Sequence, residues 1–84
     1  MNETEIRQAI FHSLKQIAPD TDPSSLLPDK RIQESLNIDS FDYLQFIVSL
    51  DEKFGIDIPE QDYGKITTVR ALTNYILTRL QDED

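Results

Sequence analysis

Apolar residues recur at steps of three and four residues in three stretches of this chain, and this spacing limits its possible folds more than any other feature. Side chains spaced in this way line one face of an α-helix. The stretches lie in residues 3–17, in residues 40–54 and after Thr68. Their apolar faces consist of Ile6, Ile10, Leu14 and Ile17, of Tyr43, Phe46, Ile47, Leu50 and Phe54, and of Val69, Leu72, Ile76 and Leu80. The spacing predicts three amphipathic helices.

Residues that favour helix ends separate these stretches. Gly55 follows the second stretch, Thr68 precedes the third, and Pro59 suits the first position of a short additional helix. A long irregular segment after Pro19 holds the apolar anchors Leu26, Leu27, Ile32, Leu36 and Ile38. The 84 residues therefore predict one all-α domain, a small four-helix bundle of three longer helices and one short helix. We expect a long loop between the first two helices and a frayed polar end at residues 81–84.

Charge excludes several classes of partner. Sixteen acidic residues against eight basic ones give a net charge of −8. Such a surface repels the phosphates of nucleic acids and anionic lipids, so we expect no nucleic acid and no stable membrane association, and basic protein surfaces are favoured. The start, MNETEIRQAI, is too acidic for a signal or transit peptide. Together with the absence of cysteine, these features favour a cytoplasmic protein, which we expect to be monomeric.

The sequence lacks the residues that catalysis or metal binding requires. Cysteine is absent, His12 is the sole histidine, and no glycine-rich phosphate loop is present. The segment that starts at Asp20 resembles the start of a calcium loop, but Ser25 and Arg31 stand where that loop needs Gly and Glu. We therefore expect no catalytic residue and no metal site, so any reaction at a serine has to be performed by another enzyme.

Ser40 lies at the predicted start of the second helix, between Asp39 and Asp42. Either Ser40 or Asp39 can accept a hydrogen bond from a free N–H group of the first turn, which stabilises a helix by about 0.5–2 kcal/mol relative to alanine. The four residues IDSF alone therefore indicate no more than a helix start. We expect Ser40 to serve as a cap as well as in any further role that the longer pattern assigns to it.

The stretch LNIDSFDYLQFIVSLDEKFGIDIPEQ, followed by KITTV, resembles the acyl carrier proteins, and the resemblance covers most of the chain. Gly55, Pro59 and Thr68 follow Ser40 by 15, 19 and 28 residues, in the order found in that family. The resemblance implies that 4′-phosphopantetheine from coenzyme A is attached to Ser40, with Asp39 contributing to recognition. It implies a phosphopantetheinyl transferase as one partner. Other implied partners are acyl-transfer, condensing or acyl-activating enzymes with basic surfaces.

A second apolar stripe on the same helix is formed by Phe41, Leu44 and Val48. It lies off the core face, so we expect Phe41 to be exposed and to contact partner enzymes. The alternative is that Phe41 folds back onto the long loop. On the resemblance, the partner-facing set is Phe41, Asp42, Leu44, Gln45, Val48 and Glu52, and we expect Asp39 and Asp51 to add negative charge on the outward side of the helix.

Three departures from the usual acyl carrier pattern favour a specialised member. Phe41 follows the serine where the family usually has Leu, as in D-alanyl carriers. Asn37 stands where many members have Gly, and Gln45 where most have an acid. The predicted function is an acyl carrier for fatty-acid, polyketide or other specialised acyl biosynthesis. Two alternatives remain open, namely a carrier of aminoacyl groups such as D-alanine and an unmodified carrier-like adaptor within a protein complex.

Overall fold

The computed structural model describes residues 2–22 and 25–82, and its regular elements are all helical. They are α1 (Glu3–Ile17), α2 (Ile32–Ser35), α3 (Ser40–Phe54), a 3₁₀ helix (Glu60–Lys65) and α4 (Val69–Asp82). The prediction of a small all-α bundle with three longer helices is confirmed. The long helices lie where the apolar spacing places them.

The structure differs from the prediction in three details. The four-residue helix α2 lies inside the long connection, and it was not predicted because it is too short to show a helical period. Pro59 is the residue before the 3₁₀ helix and not its first residue. The expected frayed end is helical through Asp82, since α4 includes that residue. The last two residues of that expected end lie outside the described residues.

Helix α1 packs against both α3 and α4 and forms the centre of the bundle. Its first turn is capped by Asn2, whose Oδ1 accepts a hydrogen bond from the Glu5 N–H at 2.9 Å. The fully buried residues of the described core come from all three long helices and from the segments between them; they are Ile6, Ile10, Leu14, Ile32, Phe46, Ile47, Leu50, Ile66, Leu72 and Ile76. Burial of each large apolar side chain stabilises the fold by about 1.5–3 kcal/mol.

The ends of α3 and α4 are formed by the residues that the sequence indicates. Gly55 adopts a left-handed conformation with φ 65° and its N–H donates to the Asp51 carbonyl, which closes α3. Thr68 Oγ1 accepts a hydrogen bond from the Ala71 N–H at 3.1 Å, which caps α4. Ile56 and Ile58 are buried in the connection after α3, while Asp57 between them is exposed.

The long connection is fastened to the start of α4. The Ile32 N–H donates to the Thr67 carbonyl at 2.8 Å, next to an isolated antiparallel bridge between Arg31 and Thr68. The Ile32 side chain is fully buried, as expected for an anchor. Leu27 was expected to be a further anchor, and this expectation is wrong, since its side chain is 59% exposed.

A second set of contacts joins the same two segments through Arg70. Its N–H donates to the Pro28 carbonyl at 3.1 Å. Its guanidinium group donates to both carboxylate oxygens of Asp29, at 2.7 and 3.3 Å. The ion pair is exposed and contributes little free energy by itself. The backbone bonds and the burial of Ile32 therefore hold α2 in place.

The 3₁₀ helix is joined to α4 by a polar network. The Tyr75 hydroxyl donates to Asp62 Oδ2 at 2.7 Å and accepts a hydrogen bond from Arg79 at 2.8 Å. The Tyr75 hydrogen bond, with smaller contributions from Lys65 and Arg79, lowers the pKa of Asp62 below its usual value. The carboxylate is therefore stabilised in its charged form.

Tyr43 joins the start of α3 to the segment before α4. Its hydroxyl donates to the Ile66 carbonyl at 2.8 Å inside the protein, and its ring lies 5.9 Å from that of Phe46. Burial raises the pKa of Tyr43 to about 12, and the nearby positive charge of Arg31 acts weakly in the opposite direction. The neutral phenol is therefore the form that the folded state favours.

We expect Tyr43 to make the stability of the fold fall at alkaline pH. The pKa in the unfolded chain is about 10, so above that pH the unfolded state ionises before the folded state does. The stabilising contribution of Tyr43 is complete below about pH 10 and is lost as the pH rises towards the folded-state value. Urea unfolding across this range measures the decline.

Tyr43→Phe provides the matched control. Tyr63 and Tyr75 also have raised pKa values. Both residues are present in the wild type and in the variant, so their effect on the pH dependence of stability cancels when the two proteins are compared. The variant should be less stable near neutral pH by about 0.5–1.5 kcal/mol, because Ile66 loses its donor, and should lose less stability between pH 10 and 12. If the free energy of unfolding fell equally with pH in the two proteins, the pKa of Tyr43 would be the same in the folded and unfolded states, contrary to this prediction.

Candidate functional site

Ser40 is the first residue of α3, and its side chain is exposed. The N-cap of the helix is Asp39, whose Oδ1 accepts a hydrogen bond from the Asp42 N–H at 2.8 Å. The Asp39 carbonyl accepts a further bond from the Tyr43 N–H at 3.0 Å. The expectation that Ser40 also caps the helix is therefore wrong. Asp39 has that role, which leaves the Ser40 hydroxyl free of the cap.

The turn from α2 into α3 fixes the direction in which Ser40 leaves the surface. Asn37 adopts a left-handed conformation with φ 54°, which an asparagine tolerates better than most residues. Directly after it, the Ile38 N–H donates to the Gln33 carbonyl at 3.0 Å, and the Ile38 side chain is buried. The chain is thus anchored two residues before Ser40.

Gln33 of α2 contacts Ser40 directly. Its Nε2 donates to Ser40 Oγ over 3.4 Å, which is a long hydrogen bond at an exposed position. Gln33 was not predicted as a site residue because α2 was not predicted. No local sequence pattern indicates a contact between two residues that are seven positions apart in an irregular segment. Only the fold brings the two side chains together.

The backbone next to Ser40 offers two further donors. Within residues 2–22 and 25–82, the N–H groups of Ser40 and Phe41 have no hydrogen-bond acceptor. Free N–H groups at the start of a 15-residue helix point outward, and the helix dipole adds positive potential there. This arrangement suits a phosphate group bonded to Ser40 Oγ.

The surroundings of Ser40 do not activate it as a nucleophile. Its hydrogen-bond partner Gln33 is an amide, which does not accept a proton at ordinary pH. His12 lies on α1, where its ring contacts the Gln16 side chain at 3.2 Å. No group of metal-ligating side chains occurs in the part of the chain that the structure describes. Among the described residues, Ser40 thus presents an exposed hydroxyl whose side-chain hydrogen-bond partner is an amide.

The outward side of α3 carries an apolar stripe, as the spacing indicates. Phe41 is 68% exposed, Leu44 42% and Val48 43%. Phe41 does not fold back onto the long loop, so the alternative for this residue is wrong. Gln45 and Glu52 are exposed next to the stripe, and Asp42 is half-buried. The exposure that the sequence indicates for Phe41 is confirmed.

Asp51 does not belong to the outward acidic set. Its Oδ1 accepts a hydrogen bond from the Ile58 N–H at 3.4 Å, and its carbonyl accepts from the N–H groups of Gly55 and Ile56. Burial raises the pKa of the Asp51 carboxyl above its usual value, although the bond from Ile58 opposes the shift. Asp51 therefore fastens the segment after α3 and is half-buried.

The sequence is similar to those of known proteins over most of its length. The family described as "Phosphopantetheine attachment site" matches residues 9–76. The acyl carrier protein of Thermosynechococcus vestitus is 34% identical over 79 residues, which cover 90% of this chain and 93% of that protein. The acyl carrier protein of Helicobacter hepaticus is 36% identical over 69 residues, which cover 79% and 91%. Both similarities span almost the whole length of the relatives.

A solved structure is similar as well. The acyl carrier protein from Enterococcus faecalis matches with a TM-score of 0.72 and 28% sequence identity, over 94% of this chain and 99% of that one. Among the described helices, none has the length and apolar character needed to cross a bilayer. The family match over most of the chain, the relatives that are 34% and 36% identical, and the similar fold all agree. The chain therefore belongs to the acyl carrier protein family, whose cofactor is 4′-phosphopantetheine.

Proposed function

We propose that Ser40 is the residue to which a phosphopantetheinyl transferase attaches the cofactor. The observation that carries this proposal is the division of roles at the start of α3, where Asp39 caps the helix and Ser40 presents an exposed hydroxyl that takes no part in the cap. Ser40 also lies inside the region that the family matches. The free N–H groups of Ser40 and Phe41 suit the phosphate of the cofactor.

The chain provides the acceptor for this transfer, and the transferase provides the catalysis. Ser40 Oγ forms a bond to phosphorus, the pyrophosphate bond of coenzyme A breaks, and adenosine 3′,5′-bisphosphate leaves. The proton of the hydroxyl passes to a base of the transferase, because no base is hydrogen-bonded to Ser40. When bound, the cofactor supplies a terminal thiol that holds an acyl group as a thioester, and the chain itself has no cysteine.

The same proposal assigns the outward side of α3 to partner enzymes. Phe41, Leu44 and Val48 give an exposed apolar centre beside the attachment residue. Asp39, Asp42, Gln45 and Glu52 surround it with polar and acidic groups. An apolar centre with a polar rim is the usual composition of a protein interface, and the acidic rim favours basic partners. Acyl-transfer, condensing and acyl-activating enzymes are the partner classes that this surface would serve.

Phe41 supports a second candidate function. It stands next to Ser40 and is strongly exposed. Most acyl carriers have leucine at this position, and the phenylalanine resembles the D-alanyl carriers. A carrier of aminoacyl groups is therefore the alternative to an acyl carrier. Mass spectrometry of the protein isolated from its own cells would distinguish them, because an aminoacyl group and a fatty or polyketide acyl group add different masses to the same arm.

We expect Ser40→Ala to abolish attachment without loss of stability, because the side chain takes no part in the cap. Asp39→Ala should instead lower the free energy of unfolding by about 0.5–2 kcal/mol, since the Asp42 N–H loses its acceptor. Incubation with coenzyme A and a transferase, followed by intact-mass measurement, should add one phosphopantetheine to the wild type and none to Ser40→Ala.

The two measurements separate the roles of the neighbouring residues. A wild-type protein that takes up no phosphopantetheine from several transferases would overturn the assignment of Ser40 and favour the unmodified adaptor. Modification that persists in Ser40→Ala would place the attachment at another residue. A Ser40→Ala protein destabilised as much as Asp39→Ala would show that Ser40 shares the cap.

We expect Phe41→Ala to weaken partner binding while the fold stays intact. An exposed substitution usually changes stability by no more than about 0.5 kcal/mol. Transfer of the ring into a partner's pocket is worth about 1.5–3 kcal/mol, which corresponds to roughly a ten- to hundredfold loss of affinity. Phe46→Ala on the buried side of the same helix is the contrast, with an expected loss of about 3–5 kcal/mol in stability. Equal affinity of wild type and Phe41→Ala for all partner enzymes tested would contradict the contact role.

We also expect Asp42→Asn to slow association with a basic partner. The substitution removes one charge at nearly constant size and leaves the cap bond from the backbone N–H in place. Asp57→Asn, at an exposed position after α3, removes the same charge and should have a smaller effect. Stopped-flow association rates should differ most at low salt and converge near 1 M salt, where the screening length is about 3 Å. Identical rates for the two variants at low salt would exclude local steering by Asp42.

A further inference from the structure

The hydrogen bond between Gln33 and Ser40 joins the attachment residue to a side chain that the helix itself does not supply. Gln33 Nε2 lies 3.4 Å from Ser40 Oγ, the atom to which phosphorus would be bonded. The two residues are seven positions apart and belong to different helices. No other side-chain hydrogen bond to Ser40 is present within the described ranges. Gln33 is therefore the one side chain positioned to act on this oxygen.

The backbone of Gln33 is held on both sides. Its carbonyl accepts the Ile38 N–H at 3.0 Å, and the preceding residue, Ile32, is fully buried and donates its N–H to the Thr67 carbonyl at 2.8 Å. The side chain is itself half-buried. These contacts fix the backbone position from which the Gln33 side chain extends to Ser40.

The charges near Ser40 explain why a neutral donor is useful there. Asp39 and Asp42 flank the serine, and Glu34 follows Gln33 in α2. Arg31, which directly precedes α2, pairs with Glu34 at 3.0 Å. A phosphodiester at Ser40 would thus add negative charge among carboxylates. The groups that can donate hydrogen bonds to this phosphodiester are the N–H groups at the start of α3 and the side-chain amide of Gln33.

We propose that Gln33 is a positioning residue of the attachment site, which orients the Ser40 hydroxyl before modification and donates to the phosphodiester afterwards. The inference rests on the proposed attachment at Ser40. The present bond is long and exposed, so little free energy is lost when the amide leaves the hydroxyl. A hydrogen bond to an ionised phosphate is roughly twice as strong as one between neutral groups. Gln33 therefore makes a stronger hydrogen bond to the phosphodiester of the modified protein than to the free hydroxyl.

The experiment compares the unmodified and the modified wild-type protein by NMR. On attachment, the side-chain NH₂ resonances of Gln33 in ¹⁵N-labelled protein should shift strongly, whereas those of Gln8, exposed on α1, should not. The ³¹P resonance of the modified protein should move in Gln33→Leu and stay in place in Gln8→Leu, which makes the same substitution far from the site. Gln33→Lys, which restores a donor, should return the ³¹P resonance towards its wild-type position.

Transfer kinetics supply a second readout. Gln33→Leu should lower kcat for modification by about two- to tenfold, the worth of one hydrogen bond, with KM for the carrier changed less. A wild type that never takes up the cofactor would overturn the attachment proposal itself and this inference with it. A wild type that is modified normally, with unshifted Gln33 amide resonances, would overturn the inference alone. The wild-type NMR comparison remains decisive even if a Gln33 variant folds poorly.

Discussion

The backbone hydrogen bond from the Ile32 N–H to the Thr67 carbonyl is the contact on which the geometry of the site depends. It ties the middle of a long connection to the segment that precedes α4, and the Ile32 side chain below it is fully buried. Fixing a segment of this length costs conformational entropy, which the contacts that fasten it have to offset. Once it is fastened, α2 has a fixed position, and with it the residues that lead into α3. The position of Ser40 at the start of α3 thus depends on a contact with the segment before α4.

The start of α3 solves a conflict between stability and access. A helix needs a side chain that accepts one of its free N–H groups, and a modified serine needs a hydroxyl without that commitment. Asp39 accepts the Asp42 N–H, and the next residue remains available at the surface. A carboxylate is also the better partner for the positive end of the helix dipole. Asp39 therefore caps the helix and leaves the Ser40 hydroxyl available for the proposed attachment.

The sequence predicts the helices that show a regular apolar spacing and the helix ends for which only one nearby residue is suited. Helical spacing places three helices, and Gly55 and Thr68 end and cap them as expected. Helix α2 is missed because four residues show no period, and Gln33 is missed with it. The sequence does not show whether Asp39 or Ser40 caps α3, because either side chain can accept a hydrogen bond from an N–H group of the first turn. Exposure of Leu27 and partial burial of Asp51 depend on contacts across the fold, which local patterns do not contain.

The donors around Ser40 are neutral, and the charge of the whole molecule gives a reason. The net charge of −8 favours basic partners, and carboxylates such as Asp42 and Glu52 belong to the surface that is proposed to meet them. A lysine or arginine beside Ser40 would bind a phosphate more strongly, but it would also cancel part of that field. Backbone N–H groups and a glutamine amide can hold the proposed phosphodiester without changing the net charge. Under the proposed attachment, modification then increases the negative potential that partner enzymes meet, so the modified carrier should be steered towards them more effectively than the unmodified one.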